Sequence, residues 1–249
     1  CGLAQEISLR VRTVGVFKPL TLQPGEDADT RFFTQVVRQG ENVASPAPIH
    51  VTLEQLAMGL TSVSGELAPQ VKALARQAAQ DNDVLIAEGL SLSAGGADLA
   101  LREPQDLAQS SRTVAELLDA KVVLVVAYSP ALDAEAVARM SESFSGRLLG
   151  AVINGVTRYR QRDVEERLVP AIQARGIGVL GAIPEDRRLL ATTVGQLAEH
   201  LQGEWLTGGE KAEALVEELM MGGLLLDWGV TYFGRTERKA VVGRGDRPV

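Results

Sequence analysis

Five short stretches of this chain are dominated by apolar residues: 13–17, 84–87, 122–127, 149–153 and 177–180, all rich in Val, Ile and Leu. A strand that is apolar at successive positions buries both faces, the condition of a parallel strand held between two helix layers. Segments with helical spacing run between these stretches. Residues 66–80 place Leu67, Val71, Leu74 and Ala78 on one stripe. Val164, Leu168 and Ile172 form another stripe ahead of Arg175-Gly176, a helix C-cap signature. Strand and helix in alternation build βαβ units, so the pattern predicts an α/β fold with a doubly wound, mainly parallel sheet.

Two segments break the alternation. Residues 39–62 contain Ser45-Pro-Ala-Pro48, which regular helix does not tolerate, and read as an excursion over the strand ends where substrate loops sit. The second break follows Pro184. Residues 185–202 read as a helix with Leu189, Leu190, Val194, Leu197 and Leu201 on one side, and Trp205-Leu-Thr-Gly-Gly209 reads as a linker. A new pattern then begins, helical over 212–221, apolar over 224–226 and strand-like over 239–242. The expected organisation is one domain over 1–202 and a partial second α/β domain over 203–249.

The chain opens with Cys1-Gly-Leu-Ala-Gln-Glu6, helical in character and without a capping residue ahead of it. That helix leads into Arg12-Thr-Val-Gly-Val-Phe-Lys18-Pro19. Helix, strand and a Lys-Pro at the strand end is the order that follows the phosphate loop of a nucleotide-binding α/β domain. The phosphate loop is therefore expected upstream of Cys1, and truncation is expected at both ends. Without that cradle of backbone donors, these residues alone are expected to bind nucleotide poorly.

Composition narrows the function. The formal net charge is −7, and the longest basic cluster, Arg158-Tyr-Arg160-Gln-Arg162, is followed at once by acids. A nucleic-acid partner is not expected, because counterion release needs clustered Lys and Arg. A single cysteine excludes an intrachain disulfide and a Cys-based zinc cage, which fits a reducing cytosol and a cytoplasmic location. No apolar run is long enough to cross a bilayer, so no membrane partner is expected.

The residues that could carry chemistry cluster at strand ends. Lys18 follows a buried strand and precedes a proline. In an open α/β sheet ligands bind outside the carboxyl ends of the strands, and a lysine there reaches a phosphate or a developing oxyanion. The other reading is a lysine in solvent. Glu88 ends Asp83-Val-Leu-Ile-Ala-Glu88-Gly89, where four apolar residues deliver one carboxylate to the strand end. It reads as a ligand for Mg²⁺, which takes oxygen ligands and keeps several waters, or as a solvated acid. Asp27 and Asp29 read as further carboxylates on the same metal, or as the acidic start of a helix. Gly95 and Gly96 in Ser91-Leu-Ser-Ala-Gly-Gly96 would let backbone N–H groups approach an anion, or form a plain loop. Asn154 ends a strand ahead of Gly155. Its amide can read a purine edge or form an Asn-Gly turn. His50 and His200 sit in no catalytic or metal-ligand constellation.

Taken together, Thr13-Val-Gly-Val-Phe-Lys18-Pro19, Asp27-Ala-Asp29, Asp83-Val-Leu-Ile-Ala-Glu88-Gly89, Val152-Ile-Asn154-Gly-Val156 and Leu180-Gly-Ala-Ile-Pro184 resemble the dethiobiotin synthetase group of P-loop proteins. The likeness covers roughly residues 1–200. It is nearest to the dethiobiotin-synthetase-like N-terminal domain of long bacterial phosphotransacetylases and their stand-alone relatives. In that group the next module is a DRTGG domain, and 203–249, ending in Gly245-Asp246-Arg247, looks like its first half. The resemblance implies a P-loop NTPase-like fold with Mg²⁺ and ATP as ligands. Lys18 would contact substrate and the transferred phosphate, and Asp29 and Glu88 would hold Mg²⁺. Asn154 and the loop from Gly181 through Ile183 to Pro184 would lie near the adenine. It also implies a homodimer. Two departures fall where the diamine substrate of a dethiobiotin synthetase would bind. There is an extra residue between Gly15 and the Lys-Pro, and Glu88-Gly-Leu-Ser-Leu-Ser-Ala-Gly-Gly96 stands in place of Glu-Gly-Ala-Gly-Gly. Both point away from biotin synthesis and leave the nucleotide site untouched.

Three functions compete. The favoured one is a nucleotide-binding regulatory module that takes Mg·ATP and passes its state to the DRTGG-like domain or to an acyl-phosphate enzyme. The second is an ATP-dependent carbon–nitrogen ligase of the dethiobiotin synthetase or cobyrinate amidotransferase type. The third is a scaffold that kept the fold and lost the ligand.

Overall fold

The computed structural model describes residues 2–22, 24–36, 45–57, 64–90, 104–222, 234 and 237–243. Contacts group the chain into two units, residues 1–153 with 163–181, and residues 154–162 with 182–249.

The first unit is built on parallel strands. β1 (Val14–Phe17) pairs with β4 (Val84–Ala87), in the register Val14↔Val84 through Phe17↔Ala87. β2 (Leu20–Thr21) pairs in parallel with β3 (Ile49–His50). A three-stranded sheet has the order β5-β6-β7, formed by Val122–Ala127, Leu148–Val156 and Val179–Pro184. Its bonds from Val122 N to Arg147 O and from Ala151 N to Gly178 O join strand starts to strand starts, as parallel strands require. The α/β class with parallel pairing stands as expected. Among the described residues, the pairing is distributed over separate hydrogen-bonded groups.

Every residue of β1 is buried, and its two faces meet different helices. Val14 and Val16 pack with Ala4 of α1 (Gly2–Ser8) and Phe33 of α2 (Ala28–Val36). On the other face Gly15 lies against the end of the helix at Ser64–Ala79. A Cβ on Gly15 would come within 2.7 Å of the Ala78 carbonyl oxygen and of the Asn82 amide nitrogen. Helices on both faces explain why this run carries no polar position. A second cluster joins Leu20, Val51, Leu56, Leu67, Val71 and Val114.

The Pro-containing excursion is seen in part. Ser45 is buried, and its hydroxyl donates to the Val16 carbonyl oxygen. Ile49 N and Val51 N donate to Pro19 O and Thr21 O. This segment therefore runs beside the carboxyl end of β1 and closes the chain around Lys18-Pro19.

The helical stripe expected around 164–172 is present but not uniform. A 3₁₀ turn at Arg158–Arg160 leads into helix, then a π-helical stretch at Val164–Leu168, then Val169–Gln173. Pro170 has no N–H, so the ladder cannot close regularly there, and Val169 N–H reaches back to Val164 O. Gly176 takes a left-handed conformation at φ +79° and ends the segment, as the Arg-Gly signature requires.

The second unit corrects two expectations. The single helix over 185–202 is instead a short helix at Arg187–Leu190, β8 (Thr192–Thr193) and a helix at Val194–His200. Ala191 is extended at ψ 134°, and Thr193 restarts the helix through a capping box with Gln196. β8 pairs antiparallel with β9 (Leu215–Val216). The helix expected over 212–221 is absent. After a 3₁₀ turn at Gly209–Lys211 the chain forms β9 and then β10 (Glu218–Gly222), which pairs in parallel with β11 (Lys239–Gly243). A distant strand outweighs the helix propensity of Glu-Glu-Leu-Met-Met. The strand expected over 239–242 is present, and residues 224–226 lie outside the described ones.

The close approach at Gly15 gives a direct check on this packing. Gly15→Ala is expected to lower the unfolding free energy by about 1–3 kcal/mol in urea denaturation. An unchanged midpoint would show that the helix does not sit on β1 as described.

Candidate functional site

The register of β1 against β4 sets the geometry of the site. Phe17 pairs with Ala87, and the Glu88 N–H donates to the Phe17 carbonyl oxygen at 2.9 Å. Lys18 and Glu88 therefore leave neighbouring strand ends side by side. Sixty-nine positions separate them in sequence, and one parallel pairing removes that separation.

Lys18 is only 6% exposed, and its ammonium is held by two aspartates. Nζ lies 3.0 Å from Asp27 Oδ2 and 2.5 Å from Asp29 Oδ2. Asp27 is 3% exposed and is fully engaged. Its Oδ2 also accepts from Thr21 Oγ1 at 2.9 Å, and its Oδ1 accepts from Thr30 N at 2.9 Å and Thr30 Oγ1 at 3.1 Å. The Thr30 bond, together with Arg31 N donating to Asp27 O, makes Asp27 the N-cap of α2. Asp29 lies in the first turn of that helix with its side chain 48% exposed. The helix-start reading and the strand-end reading thus meet in one cluster.

Glu88 completes it. Its Oε2 is buried and has no hydrogen-bond partner among the described residues. It stands at a small pocket lined also by Leu20, Leu90, Val114, Ser110 and Ser111. Gly89 sits close to this wall, where a Cβ would come within 3.1 Å of Ser111 Oγ.

Electrostatics separates the four charged groups. Burial is the largest influence on Glu88 and lifts its carboxyl above the ordinary 4.5; the Asp29 and Asp27 charges add to this and Lys18 opposes it. Ionising Glu88 therefore costs folding stability as pH rises through the window above 4.5, and that cost is absent below it. Burial alone would raise Asp27, but the Thr30, Lys18 and Thr21 hydrogen bonds and the Lys18 charge hold it below 3.8. Its contribution is present above that value and is lost as pH falls through the lowered one. Burial alone would lower Lys18, yet the Asp29 and Asp27 bonds and charges hold it above 10.5. The ammonium is thus charged throughout the physiological range, and its contribution fades only at higher pH.

The donor set suits a hard cation with few protein ligands. Among the described residues no group of three or more His, Cys, Asp and Glu could form a metal cage. Mg²⁺ does not need one, since it keeps several waters and binds through one or two carboxylates. Asp29, half exposed, and Glu88, with an unbonded oxygen, fit that role. Asp27 fits it poorly, with four donors already on its two oxygens.

The remaining described candidates are divided between the two units. Asn154 is exposed and, with Ile183 and Pro184, belongs to the second unit, whereas Gly181 belongs to the first. Glu185 N donates to Val156 O at 2.8 Å, so the segment after Asn154 runs beside the one after Pro184. Gly95 and Gly96 lie outside the described residues. Sequence reasoning missed Thr21 and Thr30, although the Asp-x-x-Thr spacing of a helix cap was there to find Thr30. Among the described residues no helix is long and apolar enough to cross a membrane.

Two measurements check this electrostatic picture. Lys18→Met strands the buried Asp27 charge and is expected to destabilise the protein by about 3–5 kcal/mol in urea, against under about 1 kcal/mol for Asp29→Asn. Equal losses would contradict the asymmetry. Glu88→Gln is expected to raise stability by about 1 kcal/mol near pH 8 and to give no gain near pH 4, where Glu88 is already protonated. A gain of the same size at both pH values would refute burial as the cause.

The comparisons with known proteins follow the same residues. The AAA_26 family model, described as an AAA domain, matches residues 1–193. A phosphate acetyltransferase of Pseudomonas putida is 25% identical over 231 residues, covering 88% of this chain and 32% of that protein. A phosphate acetyltransferase of Nitrosomonas europaea is 22% identical over 230 residues, with the same shares covered. The chain spans about a third of the length of the curated relatives it matches. No solved structure matches it. Both findings agree with the resemblance carried by the five motifs. The family match runs from α1 through β8 and takes in Lys18, Asp27, Asp29 and Glu88, and the chain belongs to the AAA_26 family of AAA domains, with a P-loop-like α/β fold.

Proposed function

We propose that this chain is a Mg·nucleotide-binding regulatory module. The observation that carries the reading is the convergence of one buried ammonium, Lys18, with Asp29 and Glu88 at the adjacent carboxyl ends of β1 and β4. Asp29 and Glu88 would hold Mg²⁺, which when bound neutralises charge on the phosphates. Lys18 supplies a fixed positive charge to a phosphate oxygen, and its burial strengthens that attraction by excluding water. Asn154 and the segment from Gly181 to Pro184 are proposed to meet the adenine, and Gly95 and Gly96 to offer backbone donors to an anion.

Similarity to phosphate acetyltransferases supports an acyl-phosphate enzyme as the partner, in the same polypeptide or apart from it. Residues 203–249 are proposed to begin a DRTGG-like domain that receives the signal. A cytoplasmic homodimer is the expected setting. The ligase reading keeps one supporting observation, because an ammonium beside two carboxylates is also the equipment of phosphoryl transfer.

Calorimetric titration of Mg·ATP into the intact protein, with Glu88→Gln as control, tests the reading. Binding is expected, and the control is expected to weaken it at least tenfold, about 1.4 kcal/mol. No heat at millimolar ligand would refute the nucleotide site and leave the scaffold reading. Steady ATP turnover with a diamine and bicarbonate would make the protein a ligase.

A further inference from the structure

Lys18 has two carboxylate partners of opposite character. Asp27 is buried, and Lys18, Thr21 and Thr30 place four donors on its two oxygens. Moving such a carboxylate would strand a buried charge and several donors at once. Asp29 is half exposed and, among the described residues, accepts only from Lys18. The bond is short at 2.5 Å, but its carboxylate is already half in water, so Asp29 can leave Lys18 without becoming a buried unpaired charge. Glu88 stands on the next strand end with a buried Oε2 that has no hydrogen-bond partner among the described residues.

We propose that the two aspartates act differently on Lys18. Asp27 is a positioning residue that aims the ammonium, and Asp29 is an exchangeable partner that leaves it for a divalent cation shared with Glu88. The inference rests on the Mg·nucleotide reading and adds a coupling to it. Without the cation, Asp29 occupies one Lys18 N–H and competes with any phosphate oxygen. With the cation, that donor is released while Asp27 keeps the ammonium in place. Cation and phosphate therefore bind cooperatively through one lysine, and the coupling is reciprocal.

The test titrates inorganic phosphate into the intact protein with and without saturating Mg²⁺, for the wild type, Asp29→Asn and Glu88→Gln. The wild type is expected to bind phosphate about tenfold more tightly with Mg²⁺, within the usual range of coupled sites. Asp29→Asn is expected to bind phosphate about tenfold more tightly than the wild type when the cation is absent, and to lose the Mg²⁺ dependence. Glu88→Gln removes the same charge but no bond to Lys18, and a gain below about threefold is expected without cation. In parallel, the Lys18 ¹⁵Nζ resonance is expected to move on adding Mg²⁺ alone in the wild type and to stay put in Asp29→Asn. Equal gains in both variants would reduce the effect to general electrostatics and overturn the exchange. Mg²⁺ and phosphate binding without mutual effect would also overturn it and leave the Mg·nucleotide reading standing. Failure of the wild type to bind either ligand would remove both readings.

Discussion

The parallel register of β1 against β4 is the constraint on which the site depends. Because Phe17 stands opposite Ala87, the next residues of both strands, Lys18 and Glu88, emerge together. A slip of one position would turn either side chain to the opposite face. Gly15 protects the register, since its bare backbone lets the helix end at Ala78 and Asn82 close over the strand. Val14 and Val16 secure the other face against Ala4 and Phe33. Apolar packing on both sides of four residues thus decides where two charged groups stand.

Those charges are arranged by burial more than by number. The Lys18–Asp27 pair is nearly inaccessible, and such pairs stabilise little relative to a well-packed apolar pair, though losing one member is costly. Its consequence here is fixed direction. Thr21 from β2 and Thr30 from α2 orient Asp27, and Asp27 orients the ammonium. Asp29, two residues further along the same helix start, stands in a wetter environment, its side chain half exposed. One helix start therefore supplies both a buried and a half-exposed carboxylate. Glu88 adds a buried Oε2 that has no hydrogen-bond partner among the described residues and is therefore left poorly solvated.

Much of this was legible in the chain. Runs such as Val84–Ala87 and Val122–Ala127 read as parallel strands with both faces buried, and both form strands, but Val84–Ala87 is only half-buried and Val125 is exposed, whereas Val14–Phe17 is buried throughout. Lys18 and Glu88 could be singled out because each charge follows such a run directly. The Arg175-Gly176 cap was likewise local, resting on glycine's access to the left-handed conformation that Gly176 adopts. Where the chain misled, the decisive partner was remote. Glu218–Gly222 has helical composition but pairs with Lys239–Gly243, and the helix expected to run through Ala191 gives way to β8, which pairs with Leu215–Val216.

The sequence by itself determined the class of fold, the strand ends that carry charge and the family, because these follow from local periodicity and from motifs of fixed spacing. Only the tertiary structure decided what the charges do to one another. Whether Lys18 lay in solvent or in a buried ion pair, and which of Asp27 and Asp29 was buried under several donors, depended on Thr21, Thr30 and the pairing of two distant strands. Burial and hydrogen-bond saturation are properties of a packed neighbourhood, and no stretch of sequence contains its own neighbours.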